Sequence, residues 1–283
     1  MRDPDPVAQR RALFGNDVVA YDDGRPGYPD RVFDLLRTRC GLGPGVRVLE
    51  IGPGTGQATR RLVDTGASVT AVELSAALAD QLRANLIERD LVVAVSAFED
   101  FEPTPGSFDL VTAATSWHWM PAEASVRRSA QALRPQGWLA VWWAIFGDPD
   151  RPDPFHDALT PVLEELEPEL VDPIVRSDRH APGTGAHPYG LDTAARIADL
   201  EAAGYFVVRH HEVIPWTGRH TAPQLRAMFA SFSPWLALPE DRRRVLLNRV
   251  EQLADEQFGG LVERPYLTPI YLARRTDTTT ALD

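Results

Sequence analysis

Residues 46–144 alternate short apolar runs with stretches of helical period, and this rhythm constrains the fold more than any other feature of the chain. Residues 46–51, 68–72, 91–96, 108–113 and 137–144 read as strands. Between them, 57–64, a helix capped by Ser75 and running through Glu88, and a helix from Pro121 through Leu133 supply the crossovers. Ser75 suits an N-cap because its hydroxyl can accept a first-turn amide. An earlier helix opens at Pro29 with Val32, Leu35 and Leu36 on one face, and Gly41, Gly43 and Gly45 end it. Strands joined by crossover helices pair in parallel, so the expected class is α/β: a doubly wound, mostly parallel sheet with helices on both faces.

The rhythm changes at Gly147. Residues 147–154 (GDPDRPDP) and 180–190 (HAPGTGAHPYG) read as loops around a helix at 155–175. A helix at 191–203, a sixth strand at 205–213, helices at 222–232 and 241–258, and a seventh strand at 267–273 follow. The expected division is therefore an N-terminal segment and helix (1–43), a sheet core (44–146), an inserted cap or lid (147–190), and a return to the sheet with a helical substrate cap (191–283), with a frayed tail from Arg275. No internal repeat is visible.

The first strand runs directly into glycine: residues 48–56 read VLEIGPGTG, with Glu50 among the apolar positions. Gly52, Gly54 and Gly56 let the chain turn tightly and bring backbone close to a ligand. A dinucleotide loop needs its third glycine one place later, and Gln57 stands there. A pyrophosphate therefore fits less well than a smaller ligand with an amino-acid portion. Glu73 closes the second strand, roughly 20 residues past the loop, where this kind of fold places an acid on ribose hydroxyls. A ligand-free glycine turn and an exposed strand-end acid are the plain structural alternatives.

Composition narrows the partners. The net charge is −11 and lysine is absent, so there is no general attraction for phosphate backbones and no nucleic-acid partner is expected. The run Arg242-Arg243-Arg244 reads as a solvated helix face. Cys40 is the single cysteine, which excludes an intrachain disulfide and suits a small core residue. The opening MRDPDPVAQRR holds no apolar stretch like a signal peptide, and the most apolar run, 138–146, is too short to span a bilayer; a soluble, cytoplasmic, membrane-free protein is expected. His156, His180, His187, His210, His211 and His220 match no metal-ligand spacing, so no metal is expected.

VLEIGPGTGQATRRL, VTAVELS, FDLVTAATSWHW and ALRPQGWLAVWW resemble the successive motifs of class I S-adenosylmethionine-dependent methyltransferases. The resemblance covers most of residues 15–146 and, more loosely, 205–275. YDDGRPGYP (21–29) and SWHW (116–119) are similar to the small-molecule group of the trans-aconitate methyltransferase-like type (methyltransferase type 11). The resemblance implies a Rossmann-like seven-stranded sheet, with S-adenosyl-L-methionine as cofactor. Gly52, Gly54 and Gly56 would then approach the methionine part. Glu73 would hold the ribose, and Leu74 and Phe98 would line the adenine. Carbonyls of Ala114 and Thr115 would face the methionyl amine, and Tyr21 and Arg25 would belong to a segment closing over the cofactor. Many relatives carry an aspartate near Ala97; this chain has none, and Glu99 is the candidate substitute.

Methyl transfer is an in-line displacement that depends chiefly on alignment, with a general base needed only where the acceptor must lose a proton. His118 is the candidate catalytic base, set against a structural or substrate-orienting role. Tyr28, Trp117, Trp119, Trp143 and Trp216 are candidate substrate-binding residues, since aromatic walls suit an apolar acceptor or a sulfonium; ordinary packing is the alternative for each. Trp142 and Trp143 are adjacent on one strand and must point to opposite faces, one of them into the core. The expected activity is methylation of an oxygen, carboxylate or hydroxyl, on a small-molecule substrate. A cofactor-binding cyclase or isomerase without net transfer and a non-catalytic binding module are the alternatives, while Gln57 disfavours a nicotinamide-dependent oxidoreductase. Homo-oligomerisation is left open.

Overall fold

The computed structural model describes residues 22, 24–171 and 188–276. In chain order the elements are α1 (Asp30–Cys40), β1 (Arg47–Ile51), α2 (Thr59–Val63), β2 (Ser68–Glu73), α3 (Ala76–Asn85), β3 (Leu91–Val95), β4 (Phe108–Ala114), α4 (Ala122–Ala132), β5 (Leu133–Trp142), β6 (Ile145–Phe146), α5 (Pro154–Leu166), α6 (Thr193–Glu201), β7 (Phe206–Thr221), α7 (Ala222–Ala230), α8 (Ser233–Leu236), α9 (Glu240–Phe258) and β8 (Leu261–Arg275). Single 3-10 turns lie at Trp117–Trp119, Pro168–Leu170 and Tyr189–Leu191. The described residues divide into two compact units: a sheet unit of residues 27–144, 190–214 and 268–276, and a helical unit of 22, 24–26, 145–171, 188–189 and 215–267. Among the described residues no helix is long and apolar enough to cross a membrane.

In the sheet unit the strand order is β3-β2-β1-β4-β5-β8, with β7 also paired to β8. β1 pairs in parallel with β2 (Leu49↔Thr70) and with β4 (Leu49↔Val111), and β4 pairs in parallel with β5 (Val111↔Leu139). β8 is antiparallel to β5 (Ala140↔Leu272). Order reverses between β1 and β4, so the segments leaving their carboxyl ends diverge, which is where doubly wound sheets bind ligands. Val48, Leu49, Leu110, Val111, Leu139, Ala140 and Val141 are fully buried, as strands covered on both faces require. α1 lays Val32, Phe33, Leu35 and Leu36 on the sheet against Val48, Leu110, Ala140 and Trp142. Each such side chain taken from water contributes about 1.5–3 kcal/mol.

The helical unit has its own core, in which Phe155, Leu159 and Leu163 of α5 join Leu225 and Phe229 of α7 and Leu246, Val250 and Leu253 of α9. Asp153 caps α5 by accepting the His156 amide at 3.0 Å, and Pro154 sits in the first turn, where a missing N–H costs nothing. Thr221 and Gln224 form a reciprocal capping box at the start of α7. β6 pairs with the first half of β8 (Phe146↔Tyr266).

The expected fold class holds, with differences of extent. The sheet has eight strands rather than seven because the two residues of β6 add a short pairing. β7 runs to Thr221 and β8 begins at Leu261, well beyond the expected ends, because Pro215, Pro265 and Pro269 interrupt the sequence pattern without ending the strands. The helix expected over 57–64 is only α2, since 54–58 remain in turn. The helix expected over 155–175 stops at Leu166, where Glu167, the residue before Pro168, leaves helical geometry (φ −148°, ψ 70°); its last expected residues, 172–175, lie outside the described ones. The helix expected through Glu88 ends at Asn85.

Candidate active site

The loop leaving β1 is held from three sides. Gly52, Gly54 and Gly56 take φ of +63°, +60° and +106°, all in the left-handed region. The Gly52 amide extends the β2 ladder to the Val72 carbonyl at 2.9 Å. The Ser116 hydroxyl, from the segment after β4, donates to the Ile51 carbonyl at 2.5 Å. A Cβ at Gly52 would fall 2.7 Å from the Ser116 Cβ, so the close approach itself requires glycine. On the α3 side, the Asn85 amide donates to the Thr55 carbonyl at 2.9 Å. Gln57, standing where a dinucleotide loop has glycine, donates to the Thr55 hydroxyl at 2.9 Å and so braces the turn.

Glu73 is 6% exposed and ties β2 to this loop, with Oε2 accepting the Gly54 amide at 3.1 Å and Oε1 the Ser75 amide at 2.9 Å. Sequence reasoning missed its neighbour Glu50. That carboxyl is fully buried, and neither oxygen has a hydrogen-bond partner among the described residues. Burial pushes it up to about 7, helped by the Glu73 charge; the Thr59 hydroxyl opposes the shift but falls short of a regular hydrogen bond. The signal was present in the sequence as one acid in an otherwise apolar strand. An orphaned buried carboxylate at the foot of a glycine loop calls for a cationic partner, and this is the fit expected of a methionyl ammonium.

After β4 the chain turns sharply. Thr115 has φ +56°, a strained conformation for a β-branched residue and one that clusters at functional sites. Its amide donates to the Trp142 carbonyl at 2.7 Å, and its hydroxyl oxygen accepts the Ala144 amide at 3.1 Å and lies 2.9 Å from the Tyr28 hydroxyl. The next residues form the Trp117–Trp119 turn. Trp117 is buried, and Trp119 tilts against the His118 ring with centroids 4.7 Å apart. The Trp143 indole donates to His118 Nδ1 at 3.0 Å. Trp142, the last residue of β5, packs against α1 in the core, whereas Trp143 lies just past the strand rather than on it and meets Tyr271 edge-on.

The sheet unit thus contains Tyr28, Gly52, Gly54, Gly56, Glu73, Leu74, Phe98, Glu99, Ala114, Thr115, Trp117, His118, Trp119 and Trp143. Leu74 is exposed at the end of β2 and Phe98 is buried. Arg25 and Trp216 fall in the helical unit instead. There the Arg25 guanidinium donates to the Ser231 carbonyl at 3.3 Å, and the Trp216 ring stacks on Tyr266 at 4.6 Å. Tyr21 lies outside the described residues.

A doubly wound sheet with a GxGxG loop, an acid at the end of β2 and a switch point between β1 and β4 defines an adenosyl-cofactor fold. Residues 49–141 match the family described as methyltransferase domain, in keeping with the resemblance of the sheet unit to the class I S-adenosylmethionine-dependent methyltransferases. An uncharacterized methyltransferase of Mycobacterium tuberculosis is 37% identical over 130 residues, which is 46% of this chain and 51% of the relative. The chain thus spans about half the length of this curated relative. Two solved structures share the fold. A putative type II methyltransferase from Anaeromyxobacter dehalogenans has 20% identity and a TM-score of 0.58, with 89% of this chain and 97% of that one covered. The [4+2]-cyclase SpnF has 17% identity and a TM-score of 0.56, with 98% and 99% covered.

Proposed function

We propose that this chain binds S-adenosylmethionine in the sheet unit and methylates an oxygen on a small-molecule acceptor. The supporting observation is the left-handed glycine loop set between two buried acids, Glu50 and Glu73. Bound there, the cofactor would supply a methyl group on a sulfonium, an electrophile that needs alignment more than activation. Glu50 would face the methionyl ammonium and Glu73 the ribose hydroxyls. Gly52, Gly54 and Gly56 would let backbone meet the methionyl portion, with the Ala114 and Thr115 carbonyls beside its amine. Leu74, Phe98 and Glu99 would border the adenine. Tyr28, Trp117, Trp119, His118 and Trp143 would orient the acceptor and exclude water, which strengthens every charge interaction in the site.

Calorimetry with S-adenosylhomocysteine tests the first half: one-to-one binding is expected, and no heat from well-folded protein overturns the reading. Incubation with methyl-labelled cofactor and candidate acceptors tests the second. Consumption of the label supports transfer, whereas conversion of a substrate with the label retained on the cofactor identifies a cyclase or isomerase instead.

A further inference from the structure

Three buried polar side chains meet at the foot of the glycine loop. Glu50 of β1 and Thr112 of β4 are partners in the parallel ladder, two residues further along than the apolar pair Val48 and Leu110. Side chains alternate along a strand, so both pairs lie on one face of the sheet. α2 covers that face: its Leu62 joins Val48 and Leu110 in the core, and Thr59 is its first residue. Glu50, Thr59 and Thr112 are each 0% exposed. Among the described residues, neither Glu50 oxygen and neither threonine hydroxyl has a hydrogen-bond partner.

The charge that acts on Glu50 is of its own sign. β2 brings the Glu73 carboxylate. The arginines of α2 are engaged elsewhere: Arg60 is exposed, and Arg61 donates to Asp30 at 2.6 Å and lies 4.4 Å from the Phe33 ring. On α1, Arg31 is exposed and donates twice to Glu212. β4 contributes Thr112, while its one acid, Asp109, is tied to Arg47 and Arg134 at the opposite end of the strand. A carboxylate buried in such a place without a cation is costly, and a neutral acid far less so. The two hydroxyls suit either state, since a threonine can accept from a carboxylic O–H or donate to a carboxylate.

We propose that Glu50 is a neutral acid in the unliganded chain and that the ammonium group of the cofactor expels its proton, so that each cofactor bound releases one proton. The coupling rests on the cofactor reading above; the neutral acid does not. The carboxylic O–H bond breaks, its electron pair stays on oxygen, and the proton passes to the buffer. The ligand ammonium is unchanged and gains the new carboxylate as its counter-charge. Burial and the Glu73 charge push the unliganded carboxyl up to about 7. Below pH 7 the proton must therefore leave for the ligand to bind, and above pH 7 it has already gone. Affinity is expected to fall by about tenfold between pH 8 and pH 6.

Infrared spectroscopy of the unliganded full chain at pH 6 tests the neutral acid directly. A carbonyl band of an un-ionised carboxylic acid is expected, absent in Glu50→Gln and lost from the wild type at pH 8.5. No such band in the wild type at pH 6 overturns the proposal, whether or not Glu50→Gln folds. Calorimetry with S-adenosylhomocysteine, in buffers of different ionisation heat, then counts protons. Release of close to one proton per ligand is expected at pH 6 and close to none at pH 8, with the acid band vanishing on binding at pH 6. Glu50→Gln is expected to release close to none at either pH. No release by the wild type at pH 6 overturns the coupling, and so does full release by Glu50→Gln, which would place the proton elsewhere. 5′-Methylthioadenosine, which carries no ammonium, is expected to bind without release; a proton released by it as well would show that the cation is not the trigger. Absence of heat with S-adenosylhomocysteine in well-folded protein removes the cofactor reading and the coupling with it, and leaves the neutral acid to stand or fall on its own band.

Discussion

The Glu73 carboxylate holds the Gly54 amide at 3.1 Å, so the acid that closes β2 also shapes the glycine loop leaving β1. Its second oxygen holds the Ser75 amide at the start of α3. One side chain therefore sets both the orientation of the proposed ribose ligand and the loop beside it. Glu73→Ala removes a charged hydrogen-bonding group worth about 1.5–3 kcal/mol. Calorimetry is expected to show S-adenosylhomocysteine binding weakened by about 10- to 100-fold. Unchanged affinity would mean the ribose is held elsewhere.

Glu50 predicts a stability that falls with rising pH. Its folded value of about 7 lies above the ordinary 4.5. Below about pH 4.5 both states bind the proton and nothing is lost. Between about 4.5 and 7 the unfolded chain releases its proton while the folded one keeps it, at a cost of up to about 3 kcal/mol. Glu50→Gln removes that loss. Thermal melts should show the variant near wild type at pH 4.5 and more stable by several degrees at pH 8. The same variant should bind the sulfonium cofactor more weakly, because the carboxylate that would face its ammonium is gone.

Glu50 also marks where the sequence was legible and where it was not. Strand and helix order in the sheet unit could be read because local periodicity and burial coincide there: the face of Val32, Leu35 and Leu36 packs on the sheet as its spacing implied. Ser75 caps α3 through its hydroxyl as expected, accepting the Leu78 amide at 3.4 Å. What failed to show depended on distant neighbours. Nothing local says that Glu50 lacks a hydrogen-bond partner, that Thr115 is strained against Ala144 and Tyr28, or that Trp143 reaches His118 across 25 positions. Nor could spacing show Arg25 engaged on the Ser231 carbonyl.

His220 predicts the opposite slope. It is 6% exposed, lies 2.7 Å from the Tyr266 hydroxyl, and is pushed down to about 4 by burial and by the nearby Arg264 charge. Above pH 6.5 both states are neutral and the contribution is intact. As pH falls from 6.5 towards 4 the unfolded chain takes up a proton that the folded one refuses, costing up to about 3 kcal/mol. This limb overlaps the Glu50 limb with opposite sign, so the wild type should look nearly flat between pH 4.5 and 6.5. The double variant Glu50→Gln, His220→Gln should stay flat there, while each single variant exposes one slope. Single variants with identical pH profiles would contradict both assignments.

Gly52→Ala is expected to destabilise through two independent causes. A left-handed conformation costs an L-residue roughly 1–2 kcal/mol, and the new Cβ would sit 2.7 Å from the Ser116 Cβ. The Ser116 side chain cannot swing away without giving up its bond to the Ile51 carbonyl. A loss of about 2–3 kcal/mol in denaturant unfolding, with Ser116→Gly restoring part of it, is the expected pattern. No recovery in the double variant would show that backbone strain alone sets the cost.

In the helical unit, Arg264 is 4% exposed and places two guanidinium nitrogens on Asp153 Oδ2, at 3.0 and 2.7 Å. Its guanidinium carbon lies 5.8 and 5.9 Å from the Phe155 and Phe229 rings. Removing one member of such a pair strands the other charge in an apolar setting, at about 3–5 kcal/mol. Asp153→Ala carries this cost together with loss of the α5 cap, about 1 kcal/mol more. Asp153→Asn keeps a capping oxygen but loses the charge, and should fall between the two. Replacing both partners separates charge from packing: Asp153→Ala with Arg264→Met fills the space beside the two rings with an apolar chain and leaves no buried cation. That double variant should unfold at higher denaturant than Asp153→Ala alone. It should also raise the His220 titration towards its ordinary range, since the Arg264 charge that helps hold it down has been removed. A double variant weaker than Asp153→Ala would show that Arg264 stabilises the unit mainly through its stacking on Phe155 and Phe229.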